Sequence, residues 1–272
     1  MLPDHAVTTT FAGGKMLAAK DDGVGLITFN QPEKRNAMSM EMWNGFGEIL
    51  DEFAEDRSVS VVILTGAGNK AFVSGADISQ FEKNRNSADA QAEYDRATGV
   101  GRQKFHAFQK PVIARIRGFC MGGGLAIAMA ADLRIASADS QFAIPAARLS
   151  IAYAPDAVKR LIDLVGPAHA RMILYTAKRI DAAEAERIGL INKMTAEEAV
   201  NDVVLDIART IADNAPLSIA ASKLTINEML KDANERDMEA VHRIGEICFN
   251  SADYKEGRTA FMEKRAPRFT GR

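Results

Sequence analysis

The chain has 272 residues, 47% of them hydrophobic and 26% charged, and its 34 Lys and Arg nearly balance 36 Asp and Glu to leave a net charge of -2. That composition suits one or two soluble globular domains with a large core, and it argues against disorder and against the polycationic field of a nucleic-acid binder. Two cysteines, Cys120 and Cys248, make at most one bridge and lack metal-ligand spacing, which fits a reducing compartment and a cytoplasmic location, with no metal expected.

In chain order, Met1 to Lys20 lacks a charged segment followed by an apolar one, and no later stretch reaches the ~18 to 20 uninterrupted apolar residues of a membrane span. Val24–Phe29 reads as a strand, and Ser39 caps a helix whose apolar face is Met42, Phe46, Leu50 and Phe53. Val59–Thr65 is a continuous apolar run, as expected of a strand buried on both faces, and it ends in Gly66-Ala67-Gly68-Asn69. A polar helix is predicted over Ser87–Gln109, a strand over Val112–Ile116, a small-residue helix over Leu125–Ala131 and a short strand over Leu133–Ala136. From about Ala154 helical periodicity dominates, with Asp181-Ala182-Ala183-Glu184 as a capping box and Pro216 at the first turn of a helix. No strand signal appears from Glu197 to Arg265, so residues 1–196 are read as an α/β core and 197–272 as a helical C-terminal region.

Two glycine-rich turns carry the chemistry. Ser74-Gly75-Ala76-Asp77-Ile78 and Gly122-Gly123-Gly124-Leu125 each follow an apolar strand and lead into a helix. Peptide N–H groups at such helix starts are unpaired and lie at the positive end of the helix dipole, so two turns of this kind read as the halves of a backbone oxyanion hole. The alternative for Gly122–Gly124 is that glycine merely permits tight helix-to-strand packing.

The segments Asn30–Met38, Ala71–Ile78, Gly118–Asp132 and Ala260–Arg265 together resemble the enoyl-CoA hydratase/isomerase (crotonase) superfamily in order and spacing, from about Val24 to Phe269. The resemblance implies an α/β fold, a spiral of ββα units with a helical C-terminal trimerisation region, trimers often pairing into hexamers. It implies an acyl-CoA thioester as substrate, with coenzyme A part of that substrate and no permanently bound cofactor. By position, the oxyanion donors are the N–H groups of Ala76 and Gly123, with Ser74, Gly75, Asp77, Ile78 and Gly122 around them. Lys34 and Arg35, with the backbone near Ala37, fall where CoA is contacted. Phe261 and Lys264 fall where relatives reach the CoA of a neighbouring subunit, in a tail whose Lys255–Arg272 holds six Lys and Arg against two Glu. A charged loop face and a solvated basic tail are the alternatives.

The chain departs from the hydratase pattern at two places. Hydratases of the superfamily carry one glutamate two residues past the last oxyanion-loop glycine and one directly after a Gln-Pro pair, where Ala126 and Ala146 stand here. A methyl group transfers no proton, so the general acid/base pair is absent from both. Decarboxylation of a malonyl-type CoA survives, because loss of CO₂ itself generates the enolate. Ile151-Ala152-Tyr153 and Ser251–Arg265 are similar to the methylmalonyl-CoA decarboxylase branch, which however has a histidine where Ala76 stands. Tyr153 is then either a proton donor to an enolate carbon or a pocket wall whose hydroxyl is satisfied by backbone. Asp156 is read as a helix start, with a displaced base as the alternative; Arg148 and Arg160 as surface or interface salt-bridge partners, with binding of a substrate carboxylate as the alternative; Asp77 and Asp132 as helix-end residues; and Cys120 as a buried filler. A dinucleotide fold is disfavoured because Ala71 replaces the third glycine after Gly66-Ala67-Gly68, and a serine hydrolase because Ser74 has no assignable partners. The rival from another class is a noncatalytic acyl-CoA-binding or assembly protein.

Overall fold

Exposed threonines and partly buried small residues form a hairpin ahead of the first apolar strand. The computed structural model describes residues 7–77 and 88–272. In it, β1 (Thr8–Phe11) and β2 (Met16–Asp21) pair antiparallel with each other, and β2 pairs antiparallel with β3 (Gly23–Phe29). Sequence periodicity gave no sign of the first two. The Ser39 hydroxyl accepts from the Met42 N–H and opens α1 (Met40–Glu55), whose buried face holds Met42, Phe46, Leu50 and Phe53 together with Trp43 and Ile49.

Three strand pairs then follow one pattern. A longer strand joins the large sheet, a three-residue strand joins a second sheet, and a helix returns. The pairs are β4 (Val59–Gly66) with β5 (Ala71–Val73), β6 (Val112–Ile116) with β7 (Phe119–Met121), and β8 (Leu133–Ser137) with β9 (Gln141–Ala143). Between them run α2 (Ala88–Ala107) and α3 (Gly123–Ala130), and after them α4 (Pro155–Thr176), which breaks at Gly166 and restarts at Pro167. The segment β10 (Ile180–Asp181), α5 (Ala182–Arg187) and β11 (Lys193–Thr195) closes the spiral. The large sheet has the order β1-β2-β3-β4-β6-β8-β11, parallel from β3 onward, and the small sheet β10-β9-β7-β5. In β4 every residue but Ser60 is buried, as expected of a predominantly apolar strand covered on both faces.

One face of the large sheet packs with α1, α3 and α4 around Phe29, Phe46, Phe72, Ile116 and Leu161. The other face is covered by α6 (Val200–Asp213) through Val200, Val204 and Ala208 against Val61, Ile63 and Ile113. The region after residue 196 therefore has two parts. Its first helix seals the sheet, whereas α7 (Pro216–Met229), α8 (Met238–Asn250) and α9 (Ala252–Glu263) bury few side chains of their own. Asp181 caps α5 by accepting from the Glu184 N–H, but the Glu184 carboxylate pairs with Arg187 instead of completing a reciprocal box. Among the described residues no helix is long and apolar enough to cross a membrane.

Candidate active site

The first motif is a tight turn pinned from inside. Pro32–Lys34 form one 3-10 turn, after which Arg35 (φ 53°) and Asn36 (φ 57°) are both left-handed, a conformation that asparagine tolerates better than most residues. The fully buried Asn36 side chain accepts from the Gln31 N–H at 3.0 Å and donates to Ala67 O at 3.0 Å and Ala71 O at 2.9 Å. The chain thus leaves the turn in a fixed direction. The Ser74 N–H donates to Arg35 O, the Met38 N–H to Gly75 O at 2.8 Å and the Asp77 N–H to Met38 O at 2.9 Å. The first two motifs are one hydrogen-bonded unit.

The second glycine turn joins β7 to α3. Gly122 adopts φ 51°, ψ -116°, a glycine conformation, and its N–H donates to Ala143 O at 2.8 Å. Gly124 lets α3 lie directly on β5, since a Cβ there would stand 2.0 Å from Val73 O. Gly123 faces the other way. A Cβ on it would lie 3.8 Å from the Ala76 nitrogen, and one on Gly75 would lie 4.0 Å from the Gly123 nitrogen. Close packing and an open donor are therefore both present, on adjacent glycines. The N–H groups of Ser74, Asp77 and Gly122 are taken by carbonyls, while among the described residues those of Ala76 and Gly123 have no carbonyl acceptor. Ala76 is half-buried and Gly123 exposed, and the two open donors lie on adjacent turns, that of Gly123 at a helix start.

Ala126 is half-buried in the first turn of α3, and Ala146 packs on the core from the 3-10 turn Pro145–Arg148. The Tyr153 ring packs on the same core, its hydroxyl donates to Gly122 O at 2.9 Å, and burial pushes the phenol pKa up. Asp156 sits in the first turn of α4 behind Pro155. Its carboxylate lies 3.6 Å from His106 Nε2, while Arg160 meets His106 Nδ1 at 2.9 Å. Arg160 is thus bound to an imidazole rather than to the carboxylate expected of it. Burial, and then Arg160, push the His106 pKa down, so the ring is neutral near pH 7. Asp132 accepts from the Val112 N–H at 2.7 Å and pairs with Lys223 at 2.9 Å, tying β6 to α7. Cys120 is buried, and its surroundings push the thiol pKa well up.

The residues expected at CoA are only partly gathered. The Lys34 ammonium lies 2.8 Å from buried Asp77, so its charge is offset within the chain; the helix that Asp77 is expected to cap lies outside the described residues. The Ser74 hydroxyl donates to Lys34 O, and the Ala37 N–H also donates to Lys34 O. Arg35 stacks on the Phe119 ring at 5.1 Å, and Arg179 stacks on the same ring at the same distance. Arg179 carried no local sequence signal, because its proximity to Arg35 exists only in the folded chain. Ile78 lies outside the described residues. Phe261, 82% exposed, lines a cleft of about 500 Å³ with Phe249, Tyr254 and Phe269, and Lys264 ends α9 in a left-handed conformation. Among the described residues no group of three or more His, Cys, Asp or Glu is placed to hold a metal.

Residues 19–272 match the model of the enoyl-CoA hydratase/isomerase family. The chain belongs to that family. The short-chain-enoyl-CoA hydratase of Clostridium acetobutylicum is 37% identical over 251 residues, 92% of this chain and 95% of that one. The crotonyl-CoA hydratase of Syntrophomonas wolfei is 35% identical over 93% of this chain and 97% of its own. A crystal structure of an enoyl-CoA hydratase/carnithine racemase from Magnetospirillum magneticum has a TM-score of 0.91 at 32% identity, covering 97% of both chains. The α/β spiral expected from the motifs is thus the fold of this enoyl-CoA hydratase/isomerase family member and of its structural relatives.

Proposed function

We propose that this family member acts on an acyl-CoA thioester and stabilises its enolate through the N–H groups of Ala76 and Gly123. The observation that carries the reading is the pair of open amides on two adjacent glycine turns, in a chain with alanine rather than a carboxylate at positions 126 and 146. Two relatives are named as hydratases, and hydration requires protons to move at a water and at the α-carbon. Losing a proton-transfer group costs about 10²- to 10⁴-fold each. A reaction that creates its own enolate needs neither group. In a malonyl-type CoA the bond to the carboxylate carbon breaks, CO₂ leaves, its electron pair enters the thioester as enolate, and a proton from water later completes the α-carbon. The donors aimed at the developing oxygen are then the principal catalytic device, each worth on the order of 10²- to 10³-fold.

Binding of the CoA portion is assigned to Lys34, Arg35 and the backbone at Ala37. A homotrimer, or a hexamer of paired trimers, is supported by the apolar side chains that α7, α8 and α9 leave in solvent, including Ile226, Ile247, Phe249 and Met262. A mass-spectrometric screen with crotonyl-CoA, methylmalonyl-CoA, ethylmalonyl-CoA and a 3-hydroxyacyl-CoA tests the reaction. Gly123→Pro is the control, because proline is accommodated at the first helical position and removes the donor, a ring carbon replacing its hydrogen. Decarboxylation lost in that variant supports the reading. Tight binding without turnover of any ester favours a noncatalytic acyl-CoA-binding or assembly protein.

A further inference from the structure

We propose that Tyr153 is a positioning residue that aims and strengthens the Gly123 oxyanion donor through the carbonyl of the same peptide unit. The inference rests on the oxyanion reading above. The Gly122 carbonyl and the Gly123 N–H are opposite ends of one planar amide, so whatever fixes the carbonyl fixes the direction of the N–H. That carbonyl has two lone pairs and both are used. One accepts the Ala126 N–H at 3.0 Å, the ordinary first bond of α3, and the other accepts the Tyr153 hydroxyl at 2.9 Å, from 31 residues further along the chain.

The second bond matters because of where the peptide sits. Gly122, at φ 51° and ψ -116°, lies outside the helix, and glycine leaves the plane between residues 122 and 123 softly restrained by its own torsions. The Gly122 N–H is anchored to Ala143 O on one side, and Tyr153 adds a restraint from the segment between β9 and α4. A donor on an amide oxygen also polarises the amide and makes its N–H a better donor, hydrogen bonds in such a chain strengthening by roughly 10 to 30% each. The ring is held by packing on the core and burial keeps the phenol protonated, so the hydroxyl remains a donor throughout the neutral range. Its proton is already committed to a backbone oxygen, which leaves proton delivery to the substrate as the competing role.

The probe is butyryl-CoA carrying carbon-13 at the thioester carbonyl, read by difference infrared spectroscopy on the wild type and on Tyr153→Phe, alongside steady-state kinetics with methylmalonyl-CoA. The wild type is expected to lower the carbonyl stretch on binding, and Tyr153→Phe to shrink that shift while kcat falls about 10-fold, part of the 10²- to 10³-fold of a whole donor, and KM stays within about 2-fold. Site-specific 3-fluorotyrosine at position 153, a more acidic phenol, is expected to enlarge the shift. It keeps the test decisive should the phenylalanine variant fold poorly. An unchanged stretch in both variants overturns the proposal, and an unchanged stretch with kcat lost assigns Tyr153 to proton delivery instead. No shift in the wild type overturns the oxyanion reading itself.

Discussion

Gly124→Ala and Gly123→Ala are expected to behave in opposite ways although the two residues are adjacent. A Cβ on Gly124 would stand 2.0 Å from Val73 O, 2.7 Å from Val73 C and 2.8 Å from Val73 Cβ, all on β5. Reaching an ordinary 3.4 Å contact needs 3.4 - 2.0, about 1.4 Å of separation between α3 and β5. Overpacking of this size costs about 3 kcal/mol, and the better helix propensity of alanine returns up to ~1 kcal/mol, leaving about 2 kcal/mol. For a chain of this length that lowers Tm by roughly 4 to 8 °C. The same displacement pulls the Ala76 turn, which follows β5, away from Gly123, and a misplacement near 1 Å costs on the order of 10²-fold in rate. At Gly123 the nearest heavy atom to a new Cβ is 3.8 Å away, so Gly123→Ala should melt at or above the wild-type temperature. Thermal melts and steady-state turnover of both variants provide the check. A Gly124→Ala protein melting within roughly 1 °C of wild type would refute the close-approach reasoning.

Further outcomes follow from other parts of the molecule. Asn36→Ala leaves one N–H and two carbonyls without their partner at a left-handed turn, and urea denaturation should register a loss of about 3 kcal/mol or more, whereas a loss under about 1 kcal/mol contradicts the assigned role. Cys120 is buried with its thiol pKa pushed well up, so only Cys248 should react with a disulfide reagent in the native protein at pH 8, and two fast thiols would speak against it. The Glu256 carboxyl is held at about 2, below its usual 4.5, by Arg265 and then by the Arg268 N–H. Because the folded value is the depressed one, this contribution is present above pH 4.5 and is lost as pH falls towards 2. Amide exchange in residues 264–272, corrected for intrinsic rate, should rise over that window in the wild type and lose that rise in Glu256→Gln.

Much of the spiral was legible because its long elements carry their own signal. The predominantly apolar run of β4, the Ser39 cap of α1 and Pro216 at the start of α7 each announce themselves within a few residues. The three-residue strands β5, β7 and β9 do not, because they are too short for periodicity and abut glycine turns, although they form most of the second sheet. The β1–β2 hairpin carries no such signal because the threonines of β1 are exposed and the sequence of β2 shows no clean apolar–polar alternation. At the site, both glycine turns are visible in the sequence, as are the alanines at positions 126 and 146. What joins them was not visible. The Met38 bridge to Gly75 and Asp77, the Lys34–Asp77 pair across 43 positions and the Tyr153 bond to Gly122 are tertiary facts with no local pattern.

The most direct test of the central claim is the behaviour of the wild-type protein towards two esters under one set of conditions, crotonyl-CoA and methylmalonyl-CoA, followed by mass spectrometry. An oxyanion pair without carboxylates predicts loss of CO₂ from methylmalonyl-CoA and no hydration of crotonyl-CoA above the uncatalysed background. Rapid hydration of crotonyl-CoA would contradict it, and would show that the methyl groups of Ala126 and Ala146 do not mark the chemistry of this chain.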